Sequence, residues 1–565
     1  MCSIFGIYGT PPDECEGLGA IMQHRGPDNF GKYADKSILI GQNRLSINDL
    51  SDAGNQPFVS DDGGIIAVIN GEIYNHKEIR SNLESKGYKF NSHSDCEVVI
   101  PGFQEWGISG LLRKLDGMFA ISIYDKKNEK IYLCRDRVGI KPLYYQLEND
   151  RLVWASEIKF IKKYGQGSKV DKYALVDFLY YRYVPTPKTG YTNINSLEPG
   201  FYIEYDIKRK RLAKNKFWDI DECKSSNEGF SEIFERSVSE YLIADVPIGI
   251  LLSGGVDSSV ITLAASRNKT NLECFSIDLG GPNRDELERS KRTCELLNLD
   301  QQIFSFDDNF LSMDLLKYYD QPFLDTSAFP TLQVFSEVSK SKKVVLTGDG
   351  ADELFGGYKW YSKRFNSLAI WVDRLTNKSV TSMIRKLRIA KLTNSERKKM
   401  LLLHGHDFLE YYSQGVLALG NMEEISTIFE RFEVERDYDP LWQFRKYWKR
   451  YTRDHYLACR HLDFKTILPD NMLRKVDIAS MRYGVEARVP FLSNAMVDFA
   501  YGNEEYLSSN LFSDKEIIKK YLSDNALEHV LGQEKIGFSV KRKGYSKREK
   551  FGMSSAMIER FENAS

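Results

Sequence analysis

Three features are missing from this 565-residue sequence: paired cysteines, an excess of charge of one sign, and a long apolar run. The eight cysteines form no C-x-x-C pair, which argues against a zinc site and a disulfide framework and fits a reducing cytoplasm. The formal net charge of -1 argues against a nucleic-acid partner held by bulk electrostatics. No uncharged run reaches the roughly 18 residues of a membrane-spanning helix, and no charged-then-apolar leader opens the chain. We expect a soluble cytoplasmic protein that binds neither nucleic acid nor membrane.

The length of the chain predicts more than one domain. A hydrophobic content of 42% over 565 residues is enough for two or more cores. Residues 206–228 are charged and poor in apolar periodicity, which is typical of a linker. The sequence therefore predicts one domain over residues 2–205 and another over residues 228–550. Assembly into a homodimer is compatible with this division.

Residues 246–260 contain a phosphate-binding pattern. The apolar run at residues 248–252 predicts a buried strand, Ser253-Gly254-Gly255 predicts a tight turn, and residues 258–265 predict the start of a helix. Backbone N–H groups and the positive end of the helix dipole favour phosphate at such a turn. Asp257 follows the glycines where a Walker A loop has lysine, and a carboxylate beside phosphate requires a divalent cation. We therefore predict that Asp257 binds Mg²⁺, with an N-capping role in an ordinary turn as the alternative.

Two later strands end close to acidic or small residues. They are residues 274–278 and 343–347, and their alternation with helices predicts a parallel sheet, where ligands bind at the carboxyl edge. The Ser-Gly-Gly-x-Asp-Ser string resembles the loop of enzymes that split ATP into AMP and pyrophosphate. The expected ATP contacts are Leu252, Ser253, Gly254, Gly255, Asp257, Ser258, Ser276, Thr347 and Gly348.

The glycine-rich run at residues 347–358 contains two acids of interest. Carboxylates in one such loop repel each other unless a metal ion or a cationic substrate lies between them. We predict Asp352 as the second Mg²⁺ ligand. Enzymes with the ATP-splitting loop typically adenylate a carboxylate or carbonyl oxygen for attack by nitrogen or sulfur, and the resemblance places Asp349 near such an acceptor acid or its adenylate. An acidic surface turn that begins a helix is the alternative for each residue alone.

Cys2 lies directly after the initiator methionine. Because cysteine is small enough for methionine removal, processing would leave a thiol and a free α-amine on the same residue. The α-amine, with a pKa near 8, can then take the proton of the thiol, as in N-terminal nucleophile enzymes. The alternative is an unprocessed cysteine buried in a strand.

Four pieces follow Cys2 in a recognisable order. They are the turn at residues 24–28, Arg44 in an apolar strand, Asn70-Gly71 as a tight corner between two strands, and Ser94-Asp95 at the start of a helix. From Cys2 to about residue 200 they resemble the glutaminase domain of class II glutamine amidotransferases. Together with the short alternating strands, this implies a four-layer αββα N-terminal-nucleophile fold of two stacked antiparallel sheets between helices.

Each of these residues has a chemical role if the substrate is glutamine. Arg44 could bind the α-carboxylate with its guanidinium fork, and Glu72 and Asp95 could bind the α-ammonium group. The Asn70 amide and the Gly71 N–H could form the oxyanion hole when Cys2 attacks the side-chain amide. Taken singly, Asn70-Gly71 is an ordinary turn signal and Arg44 an ordinary surface charge.

The rest of the chain carries a second resemblance. Residues 468–477 and 480–492, with the two glycine-rich loops, resemble the synthetase domain of glutamine-hydrolysing asparagine synthetases. The match implies a Rossmann-like parallel-sheet ATP pyrophosphatase fold with added helices, so that the chain combines α/β and α+β architecture. Residues 535–538 match the Lys-x-Gly-Phe signature of the family. The match implies that Lys535 stabilises the negative charge on the reacting phosphorus and on the departing pyrophosphate. Arg474, Asp477 and Arg488 fit a buried ion network as well as substrate contacts.

The resemblance implies a ligase that converts aspartate, glutamine and ATP to asparagine, glutamate, AMP and pyrophosphate through an acyl-adenylate. Mg²⁺ is the expected metal, and ammonia is expected to cross between the domains through an internal passage. The chain departs from many relatives at Asp349, where they carry Glu, and at residues 538–540, which lack the usual proline. The alternative function, amidation of a sugar acid of surface polysaccharides by a related enzyme, is therefore compatible with the sequence. A non-catalytic scaffold is disfavoured because all the motifs occur together.

Overall fold

A computed structural model gives the fold of the chain. It describes residues 2–9, 17–268, 271–281, 284–358, 429–435, 437–448, 455–503, 514–532 and 547–564, together with Tyr361, Leu409 and Tyr412. Among the helices within these ranges, none combines the length and the apolar character needed to span a bilayer.

The chain up to Lys216 consists mainly of antiparallel strands, as its short alternating runs predict. The strands are β1 (Ser3–Tyr8), β2 (Asn29–Ala34), β3 (Ile38–Arg44), β4 (Phe58–Val59), β5 (Ile65–Ile73), β6 (Gly117–Asp125), β7 (Lys130–Arg135), β8 (Tyr144–Glu148), β9 (Arg151–Ala155), β10 (Asn195–Ser196), β11 (Phe201–Asp206) and β12 (Arg211–Lys216). The helices are α1 (His76–Glu84), α2 (Val99–Lys114), α3 (Ile158–Tyr164) and α4 (Lys172–Tyr181).

These strands form two six-stranded sheets with the orders β10-β8-β9-β1-β3-β2 and β12-β11-β7-β6-β5-β4. Because strand side chains alternate between faces, each sheet gives one apolar row to a shared inner core that includes Ile4, Val68 and Trp154. Helices α1 and α2 pack on the outer face of the second sheet, and α3 and α4 pack on the outer face of the first. The predicted four-layer αββα arrangement is confirmed.

Two local predictions in this part are wrong. Asn70-Gly71 is not a corner, because β5 runs through both residues and pairs Asn70 with Ala120 of β6. The predicted linker at 206–228 contains β12, which pairs with β11. Edge strands are commonly rich in charge because one side faces water, so β12 gave the charge pattern of a linker. The first sheet region therefore extends to Lys216, beyond the predicted boundary at residue 205.

The chain after Lys216 alternates strands with helices. The strands are β13 (Ile248–Leu251), β14 (Glu273–Asp278), β15 (Asp300–Ser305), β16 (Val344–Leu346) and β17 (Glu486–Arg488). The described helices are α5 (Phe230–Tyr241), α6 (Val256–Asn268), α7 (Arg284–Leu297), α8 (Leu316–Tyr319), α9 (Ala328–Val338), α10 (Ala351–Phe355), α11 (Trp442–Trp448), α12 (His455–Lys465), α13 (Arg474–Met481), α14 (Asn494–Gly502), α15 (Glu516–Ser523) and α16 (Lys547–Ala564).

The five strands form one parallel sheet with the order β15-β14-β13-β16-β17, which confirms the predicted parallel architecture. From β13 the chain adds β14 and β15 on one side and returns to add β16 and β17 on the other. The switch point therefore lies at the carboxyl ends of β13 and β16, where parallel sheets bind ligands.

Asp116 joins the two parts of the chain through a half-buried contact. Its side chain accepts a hydrogen bond of 3.2 Å from the backbone N–H of Asn494, at the start of α14. Burial raises the pKa of Asp116 to about 6, against its ordinary value of 3.8. Because the folded protein holds this proton more tightly than the unfolded chain, ionisation of Asp116 opposes folding. Its contribution to stability is complete below pH 3.8 and is lost as the pH rises through 6.

Asp116→Asn should therefore stabilise the protein at neutral pH. The amide keeps an acceptor for Asn494 but carries no buried charge, and the expected gain is on the order of 2 kcal/mol. Urea unfolding near pH 7 and near pH 4 tests this, since the variant and the wild type should be similar at the lower pH. A variant less stable than the wild type near pH 7 would show that the carboxylate is compensated by its neighbours.

Candidate functional site

The backbone of Cys2 is held at both ends by buried side chains. Cys2 precedes β1, which lies between β3 and β9 in the first sheet. Its backbone nitrogen donates a hydrogen bond of 3.1 Å to Asn70 Oδ1. Its carbonyl oxygen accepts one of 3.2 Å from Arg25 Nε. The position of Cys2 is thus fixed by two strongly polar contacts, and its side chain is 7% exposed.

The Cys2 thiol requires a base for activation. Burial is the largest influence on its pKa and raises it, the nearby charge of Arg44 opposes the shift, and that of Glu72 adds to it. Since the thiolate is the nucleophile, a raised pKa leaves little of the reactive form at neutral pH. An α-amine on the same residue could supply the base, as the sequence predicts.

Asn70 and Gly71 lie beside Cys2 on β5. Asn70 Oδ1 accepts the hydrogen bond of the Cys2 backbone nitrogen, and Asn70 Nδ2 lies 3.5 Å from Ser156 Oγ. Gly71 has a φ of +153°, and a Cβ atom there would lie 1.9 Å from the carbonyl oxygen of Met118. Glycine is therefore required by the close pairing of β5 with β6, which also fixes the direction of the Gly71 N–H.

Gly71→Ala should disrupt this strand pair. A methyl group that meets backbone cannot be relieved by rotation of a side chain, so the expected loss of stability is at least about 3 kcal/mol. Gly63→Ala is the control, because Gly63 also has a positive φ, +67°, but open space around its Cβ position, and it should lose only about 1 kcal/mol. Equal losses for both variants, measured by urea unfolding, would contradict the clash.

Arg44 is buried, but its fork is turned toward the loop that follows β3. Nη1 donates to Ser51 O at 3.1 Å and to Asn55 Oδ1 at 2.8 Å. Nη2 donates to Asn48 O at 3.2 Å and, in a short contact, to Asp49 O. All four N–H groups of the terminal nitrogens thus have protein acceptors. The predicted bidentate contact with glutamine requires some of these bonds to be exchanged.

Glu72 and Asp95 lie close together, as the predicted ammonium site requires. Burial, the charge of Asp95 and that of Glu486 raise the pKa of Glu72 well above its usual range. Glu72 also accepts a short hydrogen bond from Asn48 and lies 3.5 Å from Arg488 Nη2. Asp95 accepts the backbone N–H of Ile73 at 2.7 Å. A cationic ligand would relieve the repulsion between these acids.

The second site is a cavity of about 430 Å³ at the carboxyl edge of the parallel sheet. Its walls contain most of the predicted residues of this half of the chain. Those that line it are Leu252, Ser253, Asp257, Ser258, Ser276, Thr347, Gly348, Asp349 and Asp352. Three hydroxyls connect this loop internally, because Ser258 Oγ contacts Ser253 Oγ at 3.1 Å and Ser276 Oγ donates to Leu252 O at 2.5 Å.

Gly254 and Gly255 belong to the same turn but do not line the cavity. Gly254 has a φ of +82°, and a Cβ atom there would lie 1.9 Å from the carbonyl oxygen of Glu286 in α7. The glycine thus allows close approach to a helix. The N–H of Gly255 contacts Ser253 Oγ at 3.3 Å.

Asp257 and Asp352 meet at one cation. Lys515 Nζ lies 2.5 Å from Asp257 Oδ1 and 2.6 Å from Asp352 Oδ1. Gly357 leaves room for this arrangement, since a Cβ atom there would lie 2.0 Å from Asp352 Oδ1 and 2.1 Å from Lys515 Cε. The two carboxylates therefore fit the predicted Mg²⁺ site, and the Lys515 ammonium occupies the position that the metal ion would take.

Two protein carboxylates do not complete the coordination of Mg²⁺. Within the described ranges, no group of three or more His, Cys, Asp or Glu side chains is arranged to hold a metal ion. Mg²⁺ commonly binds one or two carboxylates together with substrate phosphates and water, so the arrangement suits a metal that arrives with a nucleotide.

The cavity is also lined by residues that the sequence did not indicate as functional. Lys475 on α13 contacts Asp325 Oδ2 at 3.0 Å and Ser327 Oγ at 2.7 Å, and all three line the cavity.

The sequence did not indicate Lys515 as a functional residue either, because it precedes α15 in a charged segment with no periodic pattern. Lys535, which the sequence gives the role of charge stabiliser, lies outside the described residues.

Arg474, Asp477 and Arg488 all contact the first half of the chain, which supports the ion-network alternative. Arg474 Nη1 donates to Val184 O at 3.0 Å. Asp477 accepts from Arg25 at 2.9 Å, and Arg488 faces Glu72.

With Arg488 and Lys141 beside it, Glu486 has a pKa lowered to about 2, although burial alone would raise it. Charged side chains are thus prominent in the contacts between the two halves of the chain, between which the sequence predicts an internal passage for ammonia.

Comparison with known proteins gives two adjacent family matches. Residues 1–218 match the model described as glutamine amidotransferase domain, and residues 229–553 match the model described as asparagine synthase. The second match alone covers more than half of the chain.

Relatives of similar length are found in bacteria and fungi. The chain is 30% identical to asparagine synthetase [glutamine-hydrolyzing] 1 of Bacillus subtilis, over 97% of this chain and 88% of that protein. It is 28% identical to a putative asparagine synthetase of Mycobacterium tuberculosis, over 96% and 87%. It is 27% identical to amidase chry2 of Gibberella zeae, over 95% and 85%.

Proposed function

This chain belongs to the glutamine-hydrolysing asparagine synthetase family of ATP-using ligases, and we propose that it makes asparagine from aspartate, glutamine and ATP. Glutamate, AMP and pyrophosphate are the other products. We place the glutaminase reaction in a domain that begins at Cys2 and extends past residue 205 through β12. We place the ligase reaction in a domain over residues 228–550. The proposal is supported by two sites in one chain, each with the charges that its substrates require.

The first reaction takes place at Cys2. Removal of Met1 frees the α-amine, which accepts the proton of the thiol and passes it to the departing ammonia. The thiolate forms a bond to the γ-carbonyl carbon of glutamine, and the carbon–nitrogen bond breaks to leave a thioester. The Asn70 Nδ2 and the Gly71 N–H are our candidates for binding the oxyanion. Water then hydrolyses the thioester to glutamate and restores Cys2.

The second reaction takes place in the cavity at the sheet edge. The turn at residues 253–258 binds the phosphates, and Asp257 and Asp352 are our candidates for holding Mg²⁺, which neutralises phosphate charge when bound. A carboxylate oxygen of the acid attacks the α-phosphorus of ATP, and pyrophosphate leaves. Ammonia then attacks the carbonyl carbon of the acyl-adenylate, and AMP leaves. The Lys515 ammonium pairs with both carboxylates and would be released to stabilise phosphate charge if Mg²⁺ took its place.

The observation that carries this proposal is the convergence of Asp257 and Asp352 on one cation beside the glycine turn. In the same chain, the backbone nitrogen of Cys2 is hydrogen-bonded to Asn70. Purified protein with glutamine, ATP and Mg²⁺ should release AMP when aspartate is added, in a one-to-one ratio with asparagine. A panel of acids that includes glutamate and a hexuronic acid identifies the acceptor. Glutamine left intact and no AMP with any acid would overturn the proposal.

A sugar acid is the second candidate acceptor. Asp349 is one methylene shorter than the glutamate of many relatives, and its carboxylate accepts the Thr347 hydroxyl at 2.7 Å at the cavity wall. The shorter side chain leaves more room beside the bound acid. AMP formation with the hexuronic acid but not with aspartate would establish this alternative.

A further inference from the structure

Asp477 lies in the second half of the chain but reaches the nucleophile of the first. Its two carboxylate oxygens accept hydrogen bonds of 3.2 and 2.9 Å from Arg25 Nη2. The same guanidinium donates from Nε to the carbonyl oxygen of Cys2 at 3.2 Å. The contact is fully enclosed, since Arg25 is 0% exposed and Asp477 is 3% exposed.

The orientation of Arg25 depends on two acids from different parts of the chain. Glu157 accepts from Nη1 at 3.2 Å, and it also contacts His24 and Lys159. Asp477 takes Nη2 with both oxygens and lies 3.9 Å from Lys141 Nζ. With its two outer nitrogens fixed, the planar guanidinium has one direction left for Nε, which is toward Cys2. Without Asp477, one end of the plane has no carboxylate to hold it.

We propose that Asp477 is a positioning residue for glutamine hydrolysis, which it supports through Arg25 by fixing the carbonyl group of Cys2. The inference rests on the proposed function, because it assumes Cys2 as nucleophile. It also means that the first half of the chain does not complete its own active site. Helix α13, which carries Asp477, carries Lys475 into the cavity at the sheet edge, so one short helix contacts both sites.

Asp477→Asn in the full-length protein tests this role. The amide is the same size but has one acceptor oxygen in place of two and no charge, so the guanidinium and the Cys2 backbone should shift. A displacement of about 1 Å at a reacting group can lower a rate about 100-fold, and we expect kcat for glutamine hydrolysis to fall roughly 10- to 100-fold. KM for glutamine should change little, because the predicted glutamine contacts Arg44, Glu72 and Asp95 are intact. Amide synthesis from ammonium chloride should be retained.

Asp470→Asn is the matched control. Asp470 is equally buried, forms an ion pair of 3.2 Å with Arg474, and accepts the backbone N–H of Thr186 across the same boundary, but it has no contact with Cys2 or Arg25. It should keep the wild-type kcat for glutamine. If Asp477→Asn does not fold, Arg25→Lys replaces it, because lysine keeps the charge without an Nε to reach Cys2, and the same selective loss is expected.

Three outcomes would overturn the inference. They are wild-type kcat for glutamine in Asp477→Asn, an equal loss in Asp470→Asn, and a parallel loss of the glutamine- and ammonium-dependent activities. The rate at which iodoacetamide alkylates Cys2, followed on the N-terminal peptide, is a second readout. This rate should change in Asp477→Asn but not in Asp470→Asn, whereas general destabilisation at the boundary would change it in both. Absence of glutamine hydrolysis in the wild-type protein would instead contradict the proposed function itself.

Discussion

Cys2→Ala is expected to abolish the use of glutamine while leaving synthesis from ammonium salts intact. In the proposed mechanism the thiol is the group that forms the thioester, whereas the contacts with Asn70 and Arg25 are made by the backbone of Cys2 and are kept in the alanine variant. Loss of a covalent nucleophile lowers the rate by roughly 1,000-fold or more. Asparagine formation with glutamine and with ammonium chloride, measured in parallel, gives the result.

Cys96→Ala is the control for Cys2→Ala. Cys96 is also buried, and its Sγ lies 3.6 Å from the carbonyl oxygen of Gly71, next to the same site. Burial and the charges of Asp95 and Glu72 raise its pKa well above the usual range, which makes it a poor nucleophile. It should keep glutamine use. Glutamine-dependent synthesis that survives in Cys2→Ala would remove Cys2 from the mechanism.

Asp352→Asn is expected to abolish AMP formation and to leave glutamine hydrolysis unaffected. An amide is a weaker ligand for Mg²⁺ and carries no charge, so Asp257 would be the one carboxylate left of the pair. We expect at least a roughly 100-fold loss of acid-dependent AMP release, together with a higher Mg²⁺ requirement. Glutamate release, assayed in the same preparation, shows that the first half is folded.

A carboxylate at the opposite edge of the same sheet provides the control for Asp352→Asn. Glu273 begins β14 and forms an ion pair of 2.8 Å with Lys342, far from the carboxyl ends of the strands. Glu273→Gln should retain AMP formation. If Asp352→Asn retained it as well, the metal ligands would have to be sought elsewhere.

The fold was predictable where one segment carries its own signal. The apolar run before Ser253 predicts β13, because a strand buried on both faces needs no alternation of apolar and polar residues. Asp257 and Asp352, which follow two of the parallel strands, lie at the same edge of the sheet. The Asn70-Gly71 corner was wrong because a local turn preference was outweighed by pairing with β6, which is distant in sequence. The charged strand β12 resembled a linker since its composition reflects its edge position.

The site was predictable in its charges but not in its contacts. The sequence predicts a cation shared by Asp257 and Asp352, and in the structure the cation between them is Lys515, which no local pattern marks. Arg44 was predicted to face a substrate, yet its fork is filled by the loop at residues 48–55, because backbone carbonyls close in sequence compete for it. The motif around Asp477 and Arg488 is compatible with an ion network, but it does not identify their partners Arg25 and Glu72, which are distant in sequence.

The central claim is that nitrogen released at Cys2 reaches an acid adenylated at the edge of the parallel sheet. A double-label experiment tests it directly, with amide-¹⁵N glutamine and carboxyl-¹⁸O aspartate supplied together with ATP and Mg²⁺. The account predicts ¹⁵N in the amide of asparagine and one ¹⁸O atom in the phosphate of AMP. Oxygen-18 found in inorganic phosphate, with ADP as the nucleotide product, would contradict it.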